Sequence, residues 1–295
     1  MSHDPSHRSP NQGASRRRIL GALAGVAVAG VAGGYAIEHS GKGGGSDDAA
    51  PPDTSTPGTA TTTAVPTGGY QYERLAAPGR TVVRDAAGSV LGTFTDGART
   101  ALLTGPARTW SEPRTTTATV HSTAWVRLMP TAWKEGRETS AWFRAWFPKT
   151  LADRSPDVLG TAFEYGDGAP DRRKDDGLRY AGDAAFGPRV PGESQTSFHY
   201  RDEKSDFYDY LGIPWTFPDG THQTPEKARY GDVDCSGFMR LVWGYRNGYP
   251  MHTTNTPGIG LPRRAYAIAA YAPGVLLIPD TKQQPTDLSV LQPGD

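Results

Sequence analysis

The stretch Gly231-Asp232-Val233-Asp234-Cys235-Ser236-Gly237-Phe238-Met239-Arg240 decides how the chain is read. It holds the one cysteine among 295 residues. Tyr230-Gly231-Asp232 reads as a turn leading into Cys235. Apolar side chains then recur at Phe238, Met239, Val242 and Tyr245. That is the spacing of one helix face, with Cys235 on the same face a turn earlier. Asp234 is placed as the N-cap, and Asn247-Gly248 as the end. The thiol therefore belongs to the first turn, where unpaired backbone N–H groups favour a thiolate and pull its pKa below the free value of about 8.5. The charge of Asp234 works against this, and the sequence leaves the net sign open.

A lone buried cysteine is ordinarily a small hydrophobe. Two features argue for more here. The chain carries the marks of export, so an unpaired cysteine is unusual. The pentapeptide Asp234-Cys235-Ser236-Gly237-Phe238, followed by a helix, also closely resembles the nucleophile motif of the NlpC-type cysteine peptidases, which cleave peptidoglycan stem peptides. Leu261-Pro262-Arg263-Arg264 and Leu291-Gln292-Pro293-Gly294-Asp295 resemble later segments of that family, in the same order. The resemblance covers about residues 205–295.

The resemblance implies a papain-related catalytic domain with Cys235 as nucleophile, cutting a stem-peptide amide of the D-glutamyl–diamino-acid type. It implies substrate contacts from Asp234 and Ser236 and from an aromatic residue. Trp215 stands where the family often has tyrosine, and the gap from Trp215 to Cys235 is long, so Trp215 and Tyr230 both qualify. The family's base is a histidine on a strand after the Pro-Gly-Asp turn. The sequence given stops at that turn, so the expectation is a catalytic domain cut before its base. His222 and His252 flank Cys235, but neither falls where the family places that residue.

Lys plus Arg total 31 and Asp plus Glu total 31, so the formal net charge is zero. No basic stripe argues for a nucleic-acid partner. One cysteine and scattered histidines give no metal-ligand set, and no cofactor is expected. Ser15-Arg16-Arg17-Arg18 opens an apolar run to about Ala36, which reads as a twin-arginine-like export signal over residues 1–36, either cleaved or kept as an anchor. The implied localisation is secreted or cell-wall associated, with only transient membrane contact. Residues 37–69 are Gly-, Ser-, Thr- and Pro-rich and read as a flexible linker.

Short β-prone runs follow at Thr81-Val82-Val83, Val90–Phe94, Thr100–Leu103 and Ala124–Leu128, with Asp85–Gly88 and Asp96-Gly97 as turns. They predict a small antiparallel unit, serving as a wall-binding module or as a structural extension. Trp133, Trp142, Phe143, Trp146 and Phe147 are assigned to a helix core face rather than to sugar stacking. Ser155-Pro156 predicts a helix capped by Ser155. Asp167, Asp171, Asp175, Asp176 and Asp183 lie in a loop without calcium-ligand spacing and are assigned to solvent. A second helix is expected from Pro262 to about Tyr271, with Tyr266, Ala269 and Ala270 facing a core. Arg263 and Arg264 are assigned either to a solvated helix start or to a substrate carboxylate. Val275–Ile278 reads as a buried strand.

The fold class expected is thus α+β: the β unit within a β-rich and helical region at 70–195, then an incomplete NlpC-type domain at 196–295. The function expected is an exported cysteine peptidase of the cell wall. The rivals are an amidase or acyltransferase on the same fold and a non-catalytic wall-binding protein with a degenerate peptidase half.

Overall fold

Residues rich in Val, Thr and Leu, punctuated by Asp-Gly turns, build an antiparallel sheet whose two faces carry two cores. The structure is a computed structural model that describes residues 69–111, 118–197 and 199–295, with two-residue strands at 37–38 and 61–62. Residues 1–36, and with them the export signal, lie outside the described residues, as does most of the 37–69 segment. The strands in chain order are β1 (Ile37–Glu38), β2 (Thr61–Thr62), β3 (Gln71–Ala76), β4 (Gly79–Arg84), β5 (Val90–Thr95), β6 (Thr100–Ser111) and β7 (Thr119–Leu128). They lie in the order β1-β7-β6-β5-β4-β3-β2, with antiparallel neighbours throughout. The four predicted runs all fall on strands. Polar β3 was not foreseen. Together with the helices below, the sheet makes the fold a mixed α+β one.

Side chains alternate across β6 and β7. Ala101, Leu103 and Trp125 enter one core, while Leu102, Val126 and Leu128 face the other. The first core is aromatic. Phe94 lies 4.7 Å from Trp133 and 5.3 Å from Phe143, and Phe143 stacks on Phe147 at 5.0 Å. Phe143 and Phe147 come from helix α1 (Ala141–Ala152), which covers this face, as their spacing predicts. The indole N–H of buried Trp133 donates to Thr81 Oγ1 at 3.1 Å, so burial leaves no orphan donor there.

The opposite face meets the remaining helices: α2 (Val158–Phe163), α3 (Phe207–Leu211), α4 (Cys235–Met239) and α5 (Ala265–Tyr271). Helix α4 continues directly as a π-helical stretch, Arg240–Arg246, and ends at Asn247. The second core gathers Val158, Tyr165, Phe207, Leu211, Val233, Leu241 and Met251 around Val126. Residues on both sides of position 196 share it.

Several expectations are corrected. The cap of α2 is Asp157, not Ser155. Asp157 accepts from the N–H of Gly160 at 2.9 Å and of Val126 at 2.6 Å, while the Ser155 hydroxyl turns back to Asp153. The acidic loop is only partly solvated: Asp167 is buried, and Asp171 binds Arg179 beside a small hairpin of β8 (Arg172–Arg173) and β9 (Arg179–Ala181). Met239, assigned to the buried face, is exposed, and Leu241 is buried in its stead. Helix α5 starts at Ala265 rather than at Pro262, and it buries Ala267 while Tyr266, Ala269 and Ala270 face outward. Val275–Ile278 forms no strand, and Val275 and Leu276 lie on the surface. The Pro293-Gly294 turn is present, closed by the Asp295 N–H donating to the Gln292 carbonyl at 3.0 Å.

Candidate active site

The segment before Cys235 is laid down by backbone bonds on both sides. Gly231 takes a φ of 82°, which a glycine adopts without strain. Its N–H donates to the Tyr210 carbonyl at 3.2 Å, and its carbonyl accepts from Ala185 at 3.1 Å. The Val233 N–H donates to Ala185 at 2.8 Å, and the Asp234 N–H to Ser205 at 2.9 Å. Asp234 then caps α4 as expected: its Oδ1 accepts from the Gly237 N–H at 2.7 Å and from the Ser236 hydroxyl at 2.9 Å. Gly237 is required by space. A Cβ there would stand 2.4 Å from the Ser205 carbonyl oxygen and 3.1 Å from Asp206 Cα. The motif glycine lets α4 lie directly against the 205–206 backbone.

Behind this turn sits a buried ion network that the sequence reading missed. Arg240, fully buried, donates from Nε to both oxygens of Asp206 at 3.0 and 3.1 Å. Its Nη1 donates to the carbonyls of His252 at 2.7 Å and Leu261 at 2.8 Å. Asp206 is itself the cap of α3, in a reciprocal box with Asp209. Arg263 reaches Asp234 Oδ1 at 3.1 Å, Asp234 Oδ2 at 2.7 Å, the Ser236 hydroxyl at 2.8 Å and the Lys204 carbonyl at 2.8 Å. Its Nε lies 3.3 Å from Asp206. Burial alone would lower the Arg263 pKa, but the bond to Asp234 and the charges of Asp206 and Asp234 carry it upward. Arg263 is therefore neither at a solvated helix start nor facing solvent for a substrate. Arg263 is committed to this network and Arg264 is extended, at φ −104° and ψ 149°, so α5 starts only at Ala265. The one signal in the sequence was a charged Arg240 inside an otherwise apolar helical run.

The predicted site residues separate into two sets. Asp234 is 1% exposed and Ser236 2%, and each is engaged inward, so in this state neither offers a surface to a substrate. Cys235 between them is half-buried, the one residue of 233–237 that is not buried. Trp215, on the short strand β10 (Trp215–Thr216), is built into the second core, with ring centroids 5.2 Å from Phe207 and 5.7 Å from Tyr245. Tyr230 is 47% exposed and lies over Gly212, where a Cβ would come within 2.8 Å of its ring. Of the two aromatics, Tyr230 is the more exposed.

The thiol titrates upward, not downward. Burial pushes Cys235 up, the Asp234 carboxylate adds to it and Glu203 acts in the same sense, while the bond from the Ser236 N–H pulls the other way. Neither flanking histidine is bonded to it. His222 Nδ1 pairs with Thr216 Oγ1 at 3.0 Å, and His252 Nδ1 with Thr254 Oγ1 at 3.0 Å. Burial and the charge of Arg240 lower the His252 pKa, against the charge of Asp219. No protein-family profile, curated protein or solved structure matches the chain.

Proposed function

We propose that the chain carries the nucleophile half of a papain-related cysteine peptidase of the NlpC type, exported to the cell wall, where it cuts amide bonds of peptidoglycan stem peptides. The observation that carries this reading is local. Within the rigid turn 233–237, both neighbours of Cys235 are bonded inward, and Cys235 alone keeps surface. A turn fixed by a cap, the backbone bonds of Val233 and Asp234 and an arginine clamp holds one thiol in place, which is what attack on a carbonyl requires.

In the chemistry proposed, the Cys235 sulfur attacks the amide carbonyl carbon. The C–N bond breaks and the amine leaves with a proton from the protonated base. Water then attacks the thioester, releases the carboxylic acid and returns the thiol. The base must take the proton from a thiol whose pKa is raised, and no histidine among the described residues is bonded to Cys235. The family resemblance assigns that role to a histidine following the Pro293-Gly294-Asp295 turn. Tyr230 is the aromatic proposed to contact the substrate.

The test uses purified peptidoglycan and mass spectrometry of the released peptides. Residues 1–295 alone are expected to release nothing. A longer chain in which a histidine-bearing strand follows Asp295 is expected to release stem-peptide fragments with new free carboxylates. In that chain, Cys235→Ser and Cys235→Ala should each abolish release with melting temperature nearly unchanged. Release retained in Cys235→Ala would exclude the nucleophile and leave a wall-binding role. Fragments that carry a new ester or amide in place of a carboxylate would point to acyl transfer.

A further inference from the structure

A carboxylate one residue from a nucleophilic thiol opposes its ionisation, yet the turn needs Asp234 as its cap. The charge has to be answered by something other than solvent, because Asp234 is buried. Arg263 answers it. It takes both Asp234 oxygens, at 3.1 and 2.7 Å, and the Ser236 hydroxyl at 2.8 Å. Its guanidinium is held in turn by the Lys204 carbonyl and by Asp206. Arg264 stands 3.6 Å from the same Asp234 oxygen, but it is more exposed and binds elsewhere. Resting on the reading of Cys235 as nucleophile, we propose that Arg263 is a positioning residue: it clamps the two neighbours of the thiol and cancels the carboxylate charge beside it.

The charged and titratable groups around this turn all bear on the test. Glu203, Lys204, Asp206 and Tyr208 lie on the segment packed under α4. Arg240 comes from the helix continuation, and Arg263 and Arg264 from the segment before α5. Tyr208 is pushed up to about 12 by burial and by Asp206 and Asp209, so it stays neutral over the working range. Glu203 raises the thiol as Asp234 does. The charge of Arg240 is taken up by Asp206. Asp234 is thus the nearest charge acting against the thiolate, and Arg263 its main counterweight.

The experiment is iodoacetamide alkylation of the 1–295 chain as a function of pH. With one cysteine in the chain, the rate reports Cys235 alone. The readout is the pH midpoint, alongside a thermal melt for folding. Arg263→Gln should raise the midpoint by about one unit, roughly tenfold less thiolate at neutral pH. Arg263→Lys should restore most of it, because the charge returns. Asp234→Asn keeps a capping side chain and should lower the midpoint. In Arg263→Gln/Asp234→Asn the rise caused by Arg263→Gln should vanish. A merely structural arginine would lower the melting temperature in Arg263→Gln and leave the midpoint where it was, or shift it equally with and without Asp234. Either result overturns the proposal. Should Arg263→Gln not fold, Asp234→Asn decides alone: an unchanged or raised midpoint overturns it. Alkylation needs no hydrolysis, so an extended chain that cuts no peptidoglycan would sink the peptidase reading and leave this result standing.

Discussion

At Cys235 the local geometry and the local charge pull in opposite senses. First-turn N–H groups favour a thiolate, but partial burial and two carboxylates outweigh them, and the pKa rises. A periodicity argument could place the thiol on a helix face but could not count the charges folded in from residues 203–206 and 263. The neighbouring glycine was equally opaque. Gly237 lies inside α4 with no special φ, so local conformation does not mark it as a spatial requirement. Its role comes from the Ser205 carbonyl, which a Cβ would meet at 2.4 Å. Backbone on both sides of that contact leaves no flexible tip to yield. Gly237→Ala should therefore destabilise the protein by roughly 1–3 kcal/mol, the scale of overpacking. It should also speed alkylation of Cys235, because α4 must lift from the 205–206 segment. A variant with unchanged melting temperature and unchanged alkylation would mean that the close approach carries no weight.

At the scale of elements, single carboxylates hold pieces together that propensity alone would leave apart. Asp157 caps α2, accepts the Val126 N–H from β7 and takes a two-pronged contact from Arg108 on β6 at 2.6 and 2.7 Å. Arg108 in turn lies over the rings of Trp125 and Trp110, at 3.7 and 4.5 Å. Asp157→Ala strips the partner from a largely buried guanidinium and should cost about 3–5 kcal/mol in chemical denaturation. Asp157→Asn keeps the cap but cannot neutralise Arg108, and should fall between Asp157→Ala and wild type. Equal stability of all three would refute the clamp. The same contrast explains what was legible in the sequence. Thr81–Val83, Val90–Phe94 and Ala124–Leu128 announce themselves because β-branched residues and Asp-Gly turns act locally. So does the 142, 143, 146, 147 spacing of α1. The start of α2 was misplaced because Ser155-Pro156 is a good local signal that a long-range acceptor, Asp157, overrides. The start of α5 was misplaced because Pro262 suits a first helical position, while Arg263 is drawn into an ion network that sequence spacing does not reveal. Val275–Ile278 has the composition of a strand and no neighbour to pair with among the described residues.

Across the whole molecule, the β unit and the Cys235 region are joined through the sheet and again through the far end of the chain. Val126 belongs to the second core, so β7 is a wall shared by both halves. The Leu291–Asp295 turn then docks on the same sheet. Arg80 on β4 donates to the Val290 carbonyl at 2.7 Å and to Asp295 Oδ2 at 3.3 Å, and Gln292 donates to Thr95 on β5. Gly294 lies against Val126 so closely that a Cβ would stand 2.5 Å from its methyl group. Burial raises the Asp295 pKa above its ordinary 3.8, against the Gln292 N–H and Arg80, which pull it down. A raised folded value means that the stability from this group is fully present below the unfolded value and is lost as pH rises through the folded one. Ionised Asp295 is thus a net cost at neutral pH, and Arg80 limits that cost. Arg80→Ala should then cost more at pH 7, where Asp295 is left charged and unanswered, than at pH 4, where it is closer to neutral. About 2 kcal/mol at pH 7 is the scale of a lost bond to a charged partner. The check is the melting temperature of wild type and Arg80→Ala at both pH values, with hydrogen exchange at Gln292 to locate the change. A loss that is the same at pH 4 and pH 7 would mean that Arg80 acts through the Val290 carbonyl and through its 3.0 Å bond to Thr95 Oγ1 alone, with the Asp295 charge playing no part in fastening the turn to the sheet.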